Sequence, residues 1–232
     1  MMNDNVAVVT GASRGIGFAI ASELASLSYS LGLIARSQSD IEKASREIHK
    51  RFPEVKIITG AFDVVDGVKV EEFIRLVCAE LGNISVLVNN AGYYQPGTSS
   101  SPIDEVQHSI DVHFLAAVRF VQAVLPSMKK LGKGYIFNIA SLCGVEAVAN
   151  TGSYSASKFA LVGYSSSLAK ELAPMGIKVT ALCPSWVNTQ NSEGSPLKPE
   201  QMIQTNDLAL SVRYLLGLGS SASVQEIIIR CN

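Results

Sequence analysis

The chain has 232 residues, 47% hydrophobic and 17% charged, and its nineteen Lys and Arg against twenty Asp and Glu leave a formal net charge of −1. That balance provides no cationic excess for a phosphate backbone or an anionic membrane surface, and so apolar a composition argues against extended disorder. Cys78, Cys143, Cys183 and Cys231 form no CxxC pair and the three histidines lack zinc-ligand spacing, so neither a disulfide framework nor a metal site is expected.

Taken in chain order, strand-length apolar runs alternate with longer amphipathic stretches. Residues 6–10 read as a buried strand, followed by Thr10-Gly11-Ala12-Ser13-Arg14-Gly15-Ile16-Gly17, a glycine turn that opens a helix over 15–27. Such a turn suits a pyrophosphate, because glycines permit close backbone approach and helix N-terminal amides stabilise the charge. An ordinary glycine-rich turn has the same composition. A second strand, 30–35, ends at Arg36 and leads into a helix over 41–51; a third, 55–61, ends near Asp63-Val64 before a helix over 68–81. The fourth strand, 85–88, runs into Asn89-Asn90-Ala91-Gly92 and an irregular loop, 92–102.

A long helical pattern covers 103–131, with Pro126 expected to kink or end it. The fifth strand, 135–140, stops at Ser141, and the next helix, 154–172, opens on Tyr154-Ser155-Ala156-Ser157-Lys158. A sixth strand, 178–183, a polar loop, 184–199, a helix over 207–216 and a last strand, 227–230, complete the chain. Repeated βαβ units with unbroken apolar strands predict an α/β, Rossmann-like, doubly wound parallel sheet of about seven strands. Helices should cover both faces in three layers, with the chemistry in the crevice at the strands' carboxyl ends. No interior linker or repeat is visible, so residues 1–232 are expected to form one domain. Residues 1–5 lack a signal-peptide pattern and no apolar run approaches the roughly 18 residues of a membrane span. A reduced, cytoplasmic protein that binds neither nucleic acid nor membrane is expected.

Tyr154 and Lys158 stand four apart, so on a helix they share a face, and a cation there favours ionisation of a phenol whose free pKa is about 10. A solvated i,i+4 pair would read the same in isolation. TGxxxGxG, NNAG and a Ser followed thirteen residues later by YxxxK occur in this order. Together they make the chain similar to the short-chain dehydrogenase/reductase family, from residue 6 to 230, and in particular to its 3-oxoacyl-carrier-protein reductases and carbonyl reductases. The resemblance implies NAD(P)-dependent hydride transfer in which Tyr154 exchanges a proton with the substrate oxygen. Ser141 would bond that oxygen, and Lys158 would lower the tyrosine pKa and hold the nicotinamide ribose. It also implies a cofactor site made of Gly11, Ser13, Arg14, Gly15, Ile16, Gly17, Arg36, Asp63, Val64, Asn90, Ala91, Gly92, Tyr154, Lys158, Pro184, Val187 and Thr189. A serine nucleophile is disfavoured, since no GxSxG surrounds Ser141.

An acidic residue after the second strand would suit NAD; Arg36, with Arg14 in reach, favours NADP(H), with NAD(H) possible, unless both are simply solvated cations. Asp63 would contact the adenine or merely cap its turn. Two departures stand out. Ser185 replaces the glycine of the family's PGxxxT segment, leaving the local backbone path open. His113 stands where relatives often carry an asparagine; it would either hold a catalytic water and add a titration near neutrality, or be a packed imidazole satisfied by a backbone carbonyl. Cys143 would border the substrate or simply pack. The expected protein is an NADPH-dependent reductase of ketones or aldehydes, acyl thioesters included, assembled as a homodimer or homotetramer. An NAD(P)-dependent alcohol or hydroxysteroid-type dehydrogenase working oxidatively, and a non-catalytic NADPH sensor, are the alternatives.

Overall fold

The computed structural model describes residues 5–192 and 195–232; residues 193 and 194 of the expected cover loop, and residues 1–4, lie outside this set. Seven strands form one parallel sheet: β1 (Val6–Thr10), β2 (Ser30–Ala35), β3 (Ile57–Ala61), β4 (Ile84–Asn89), β5 (Gly134–Ile139), β6 (Ile177–Pro184) and β7 (Glu226–Ile229), in the order β3-β2-β1-β4-β5-β6-β7. The order reverses between β1 and β4, which opens a crevice at their carboxyl ends. The helices are α1 (Gly15–Ser26), α2 (Gln38–Arg51), α3 (Gly67–Glu80), α4 (Ile103–Ile110), α5 (Ala116–Leu131), α6 (Gly152–Leu172) and α7 (Thr205–Leu216).

The unbroken apolar strands feed two cores, because successive side chains point to opposite faces. Val6, Val8, Leu87 and Ile136 pack with α3, α5 and α6 through residues such as Phe73, Phe120 and Leu172; Ala7, Val9, Val88 and Phe137 pack with α1, α2 and α7 through Leu24, Ile48 and Val212. The three expected layers are thereby formed. Each fully buried side chain of this size contributes about 1.5–3 kcal/mol. Side chains cap the starts of α2 and α3: Ser37 Oγ accepts from the Asp40 amide at 3.3 Å, and Asp66 Oδ1 from Lys69 at 3.2 Å.

The long pattern over Ile103–Leu131 differs from expectation in two ways. Residues Asp111–Leu115, between α4 and α5, form a turn of π-helix in which the Ala116 amide bonds the Asp111 carbonyl. Pro126 does not end the helix, which runs to Leu131 and closes on Gly132 at φ 63°. Pro126 and Gln122, whose carbonyl loses its partner, both face solvent, so water can take the bond. By length and composition this 29-residue stretch could cross a membrane, although no run within it approaches that length without polar residues. Here it lies on the sheet through Phe120, Val121, Val124 and Met128.

Candidate active site

The glycine turn is built by contacts that tolerate no side chain. Gly11 and Gly15 adopt φ 63° and 58°, and a Cβ on Gly17 would lie 2.3 Å from the Gly11 carbonyl oxygen. A Cβ on Gly15 would come within 3.3 Å of Thr189 Cγ2, so the turn faces the loop after β6 at close range. Thr10 locks this turn to the end of β4: its Oγ1 accepts from the Asn90 amide at 2.9 Å and the Ala91 amide at 3.0 Å. Asn90 Nδ2 in turn donates to the carbonyls of Thr10 (2.9 Å) and Gly11 (3.1 Å). The amide of Asn90 is thus spent on holding the turn, a task the sequence hid because asparagine suits any loop.

Gly11, Gly15, Asn90, Ala91 and Thr189 line a cleft of about 1100 Å³ whose lining includes Arg36 and Trp186, beyond the roughly 300–1,000 Å³ of a site for one small ligand. At one end stand Gly11, Ser13, Arg14, Gly15, Ile16, Arg36, Asp63 and Val64. Arg14 and Arg36 are exposed, and no ion pair or hydrogen bond to either guanidinium is found among the described residues. Asp63 Oδ1 accepts from the Val65 amide at 3.1 Å, so the residue caps its own turn while facing the cleft. Asn90, Ala91, Gly92, Pro184, Val187 and Thr189 line the middle. Gly17 is buried beneath the turn and does not reach the cleft.

Ser185 adopts no left-handed conformation. Its amide bonds the Ile229 carbonyl at 2.8 Å, so the loop leaves β6 as an ordinary extension of the sheet. Val187 is buried and bridges Ile203 in parallel, which ties that loop down.

Ser141, Tyr154 and Lys158 converge where β5 meets α6. Ser141 Oγ accepts from the Cys143 amide at 3.1 Å, and its own proton is directed toward the Tyr154 oxygen. Lys158 is 5% exposed; its Nζ donates to the Ile139 carbonyl at 3.0 Å and lies 5.7 Å from the centre of the Tyr154 ring. Burial pulls Lys158 down to about 8. Burial likewise pushes Tyr154 up to about 12, against a smaller opposing effect of its hydrogen bond with Ser141. The net effect of these surroundings is to raise the phenol pKa, burial being the largest cause.

His113 is 2% exposed at the centre of the π turn, edge-on to Tyr154 with ring centres 5.3 Å apart. Its Nε2 accepts from the Tyr93 amide at 3.0 Å, which places the ring proton on Nδ1, facing Ser157 Oγ at 3.1 Å and Ser109 Oγ at 3.2 Å. Ser157 Oγ donates onward to the Tyr154 carbonyl at 2.7 Å. Burial first, then the charge of Lys158, holds the imidazole well below its ordinary pKa. His113 is thus a neutral tie between the loop after β4 and the first turn of α6, and its partners are an amide and hydroxyls rather than a backbone carbonyl. Sequence reading missed Thr10, Ser109 and Ser157 in these roles. The available signal was the abundance of serines in α6, of which Ser153, Ser155, Ser157 and Ser165 are buried. Cys143 is half-buried and borders the cleft beside Leu142.

Residues 5–199 match the family model described as short chain dehydrogenase. An uncharacterized oxidoreductase from Staphylococcus saprophyticus is 33% identical over 230 residues, 99% of this chain and 98% of that protein. A β-ketoacyl-[ACP] reductase from Bacteroides thetaiotaomicron superposes with a TM-score of 0.87 at 37% identity, covering 98% of this chain and 96% of its own. An alcohol dehydrogenase from the archaeon Thermococcus sibiricus, complexed with 5-hydroxy-NADP, does so with a TM-score of 0.89 at 32% identity over 98% and 96%.

Proposed function

Because the chain belongs to the short-chain dehydrogenase family of oxidoreductases, we propose that it reduces the carbonyl of a ketone or aldehyde, with NADPH preferred over NADH. The observation that carries this reading is the convergence of a protonated Tyr154, the Ser141 hydroxyl that faces it and a buried Lys158 in the same cleft as the glycine turn. The residues present fit a dinucleotide. The Gly11 and Gly15 backbone leaves room for a pyrophosphate against α1, and Arg14 and Arg36 offer guanidinium groups to a 2′-phosphate. Lys158 and Asn90, which line the same cleft, would hold the nicotinamide riboside. Such a cofactor, when bound, supplies the hydride.

The protein's own part is position and proton. Ser141 donates to the substrate oxygen and polarises the carbonyl. Tyr154 gives its proton to that oxygen as charge develops there, so the carbonyl gains a hydride at carbon and a proton at oxygen. Lys158, held by Ile139, stabilises the tyrosinate that remains until solvent reprotonates it. His113 fixes the loop and helix that frame this site. Assembly as a homodimer or homotetramer is part of the same reading.

Tyr154→Phe keeps the packing and removes the proton. Turnover should fall by about 10²–10⁴-fold while NADPH binding is retained, and Arg36→Ala should weaken NADPH about tenfold or more with NADH little changed. Unaltered turnover in Tyr154→Phe would remove the proton-donor assignment. NADPH binding to the wild type with no ketone or aldehyde reduced would favour the sensor.

A further inference from the structure

The substrate end of the cleft is of different character from the cofactor end. Arg14, Arg36, Asp40 and Asp63 all lie around the glycine turn, whereas Tyr94, Leu142, Cys143, Val148 and Trp186 at the far end carry no formal charge. His108, on that side, is stacked on Tyr93 with ring centres 5.7 Å apart and 28° between planes. Lys158 is already committed to Ile139. A substrate carboxylate or phosphate would be stripped of water there without a counter-charge, which is costly.

Aromatic rings supply what charge does not. Tyr94 meets Tyr154 edge-on, 5.5 Å between centres at 74°, and leans on Trp186 at 5.8 Å and 60°. A continuous aromatic wall therefore borders the hydroxyl assigned as proton donor. The main chain of Trp186 is anchored: its carbonyl accepts from the Ile203 amide at 3.0 Å and the Cys231 thiol at 3.2 Å, and its neighbour Val187 is buried. Val148, 52% exposed, adds an uncovered apolar surface to the same end. A main chain fixed before binding lowers the cost of ordering this wall, which leaves more of its aromatic contacts to affinity.

We propose that the substrate is a neutral aromatic ketone or aldehyde whose ring rests on the wall formed by Tyr94 and Trp186, with its carbonyl directed to Ser141 and Tyr154. The proposal rests on the reductase reading and sharpens it. The step is unchanged: the carbonyl takes a hydride at carbon and the Tyr154 proton at oxygen, leaving a benzylic alcohol and oxidised dinucleotide.

Trp186 is the only tryptophan in the chain, so tryptophan fluorescence reports this end of the cleft directly. The test titrates 1-tetralone and its saturated counterpart 1-decalone, neutral and alike in shape, into the protein with NADP⁺ present, with free tryptophan amide correcting for absorption. Rates with NADPH are then measured for both ketones, for 4-acetylbenzoate and for an acetoacetyl thioester. Tetralone should bind at least tenfold more tightly than decalone and show a correspondingly lower KM. Tyr94→Ala should erase that preference and Tyr94→Phe keep it; should the alanine variant fail to fold, the wild-type comparison decides. Equal affinity for the two bicyclic ketones, or faster reduction of the acid or the thioester, overturns the proposal while leaving the reductase reading intact. A tenfold binding preference with no ketone reduced overturns the reductase reading instead.

Discussion

Lys158 is the residue at which stability and chemistry pull apart. Its pKa is depressed from 10.5 to about 8 by burial, so below pH 8 it is charged in both folded and unfolded chains and the folded state bears the whole desolvation penalty. The unfolded state binds more protons between about 8 and 10.5, so this group makes the protein more stable as pH rises through that window. The shift corresponds to about 3 kcal/mol at 1.36 kcal/mol per pKa unit. Lys158→Met should accordingly raise stability to denaturant at pH 7 by up to that amount, less whatever the orphaned Ile139 carbonyl costs, and should abolish turnover. A destabilised variant would mean that the bond to Ile139 outweighs the buried charge. Tyr154, raised to about 12, is neutral in both states at pH 7; its effect is loss of stability from about pH 10 to 12. At this scale the sequence was legible where a residue type is tied to a motif, as with Ser141, Tyr154, Lys158 and Gly15. It was opaque where the role depends on a partner distant in sequence. Thr10 bonds amides eighty residues away, and His113 depends on Ser157 and on the Tyr93 amide.

At the scale of elements, the turn between β1 and α1 has the least tolerance. A methyl group on Gly17 would meet a carbonyl oxygen and the Asn90 side-chain nitrogen, at 2.3 and 2.4 Å, and the first of these is backbone that cannot swing aside. Gly17→Ala should therefore destabilise the fold by about 1–3 kcal/mol, the usual cost of overpacking, and should lower dinucleotide affinity although the residue does not line the cleft. Parallel thermal melts and cofactor titrations would show whether the two losses occur together. The βαβ rhythm made the strands and most helices readable to within a few residues, because period and flanking turns are local properties. The π turn at Asp111–Leu115 was not readable, since one hydrogen bond reaching five residues instead of four leaves no mark on a hydrophobic pattern. Pro126 misled because a proline on a solvent-facing stripe costs the helix a bond that water replaces.

For the molecule as a whole, both cores are bound to the same seven strands, so neither layer of helices can detach without exposing the sheet. Calorimetry should show one cooperative transition. NADPH at a hundred times its dissociation constant should stabilise by about 2.7 kcal/mol, moving Tm up by about 5–10 °C at the 2–4 °C per kcal/mol typical of chains this long. An unmoved Tm would argue against cofactor binding altogether. The π turn has one more implication for the chain's length. Since it carries one residue beyond what an α-helix needs, it is the point within Ile103–Leu131 where a single-codon deletion can be absorbed. Removing a residue elsewhere in that stretch would rotate everything on one side by about 100° relative to the core, whereas removing one here restores an unbroken α-helix with both halves still facing inward. The scaffold would survive such a deletion, and the alteration would fall on the place of His113 beneath Tyr93.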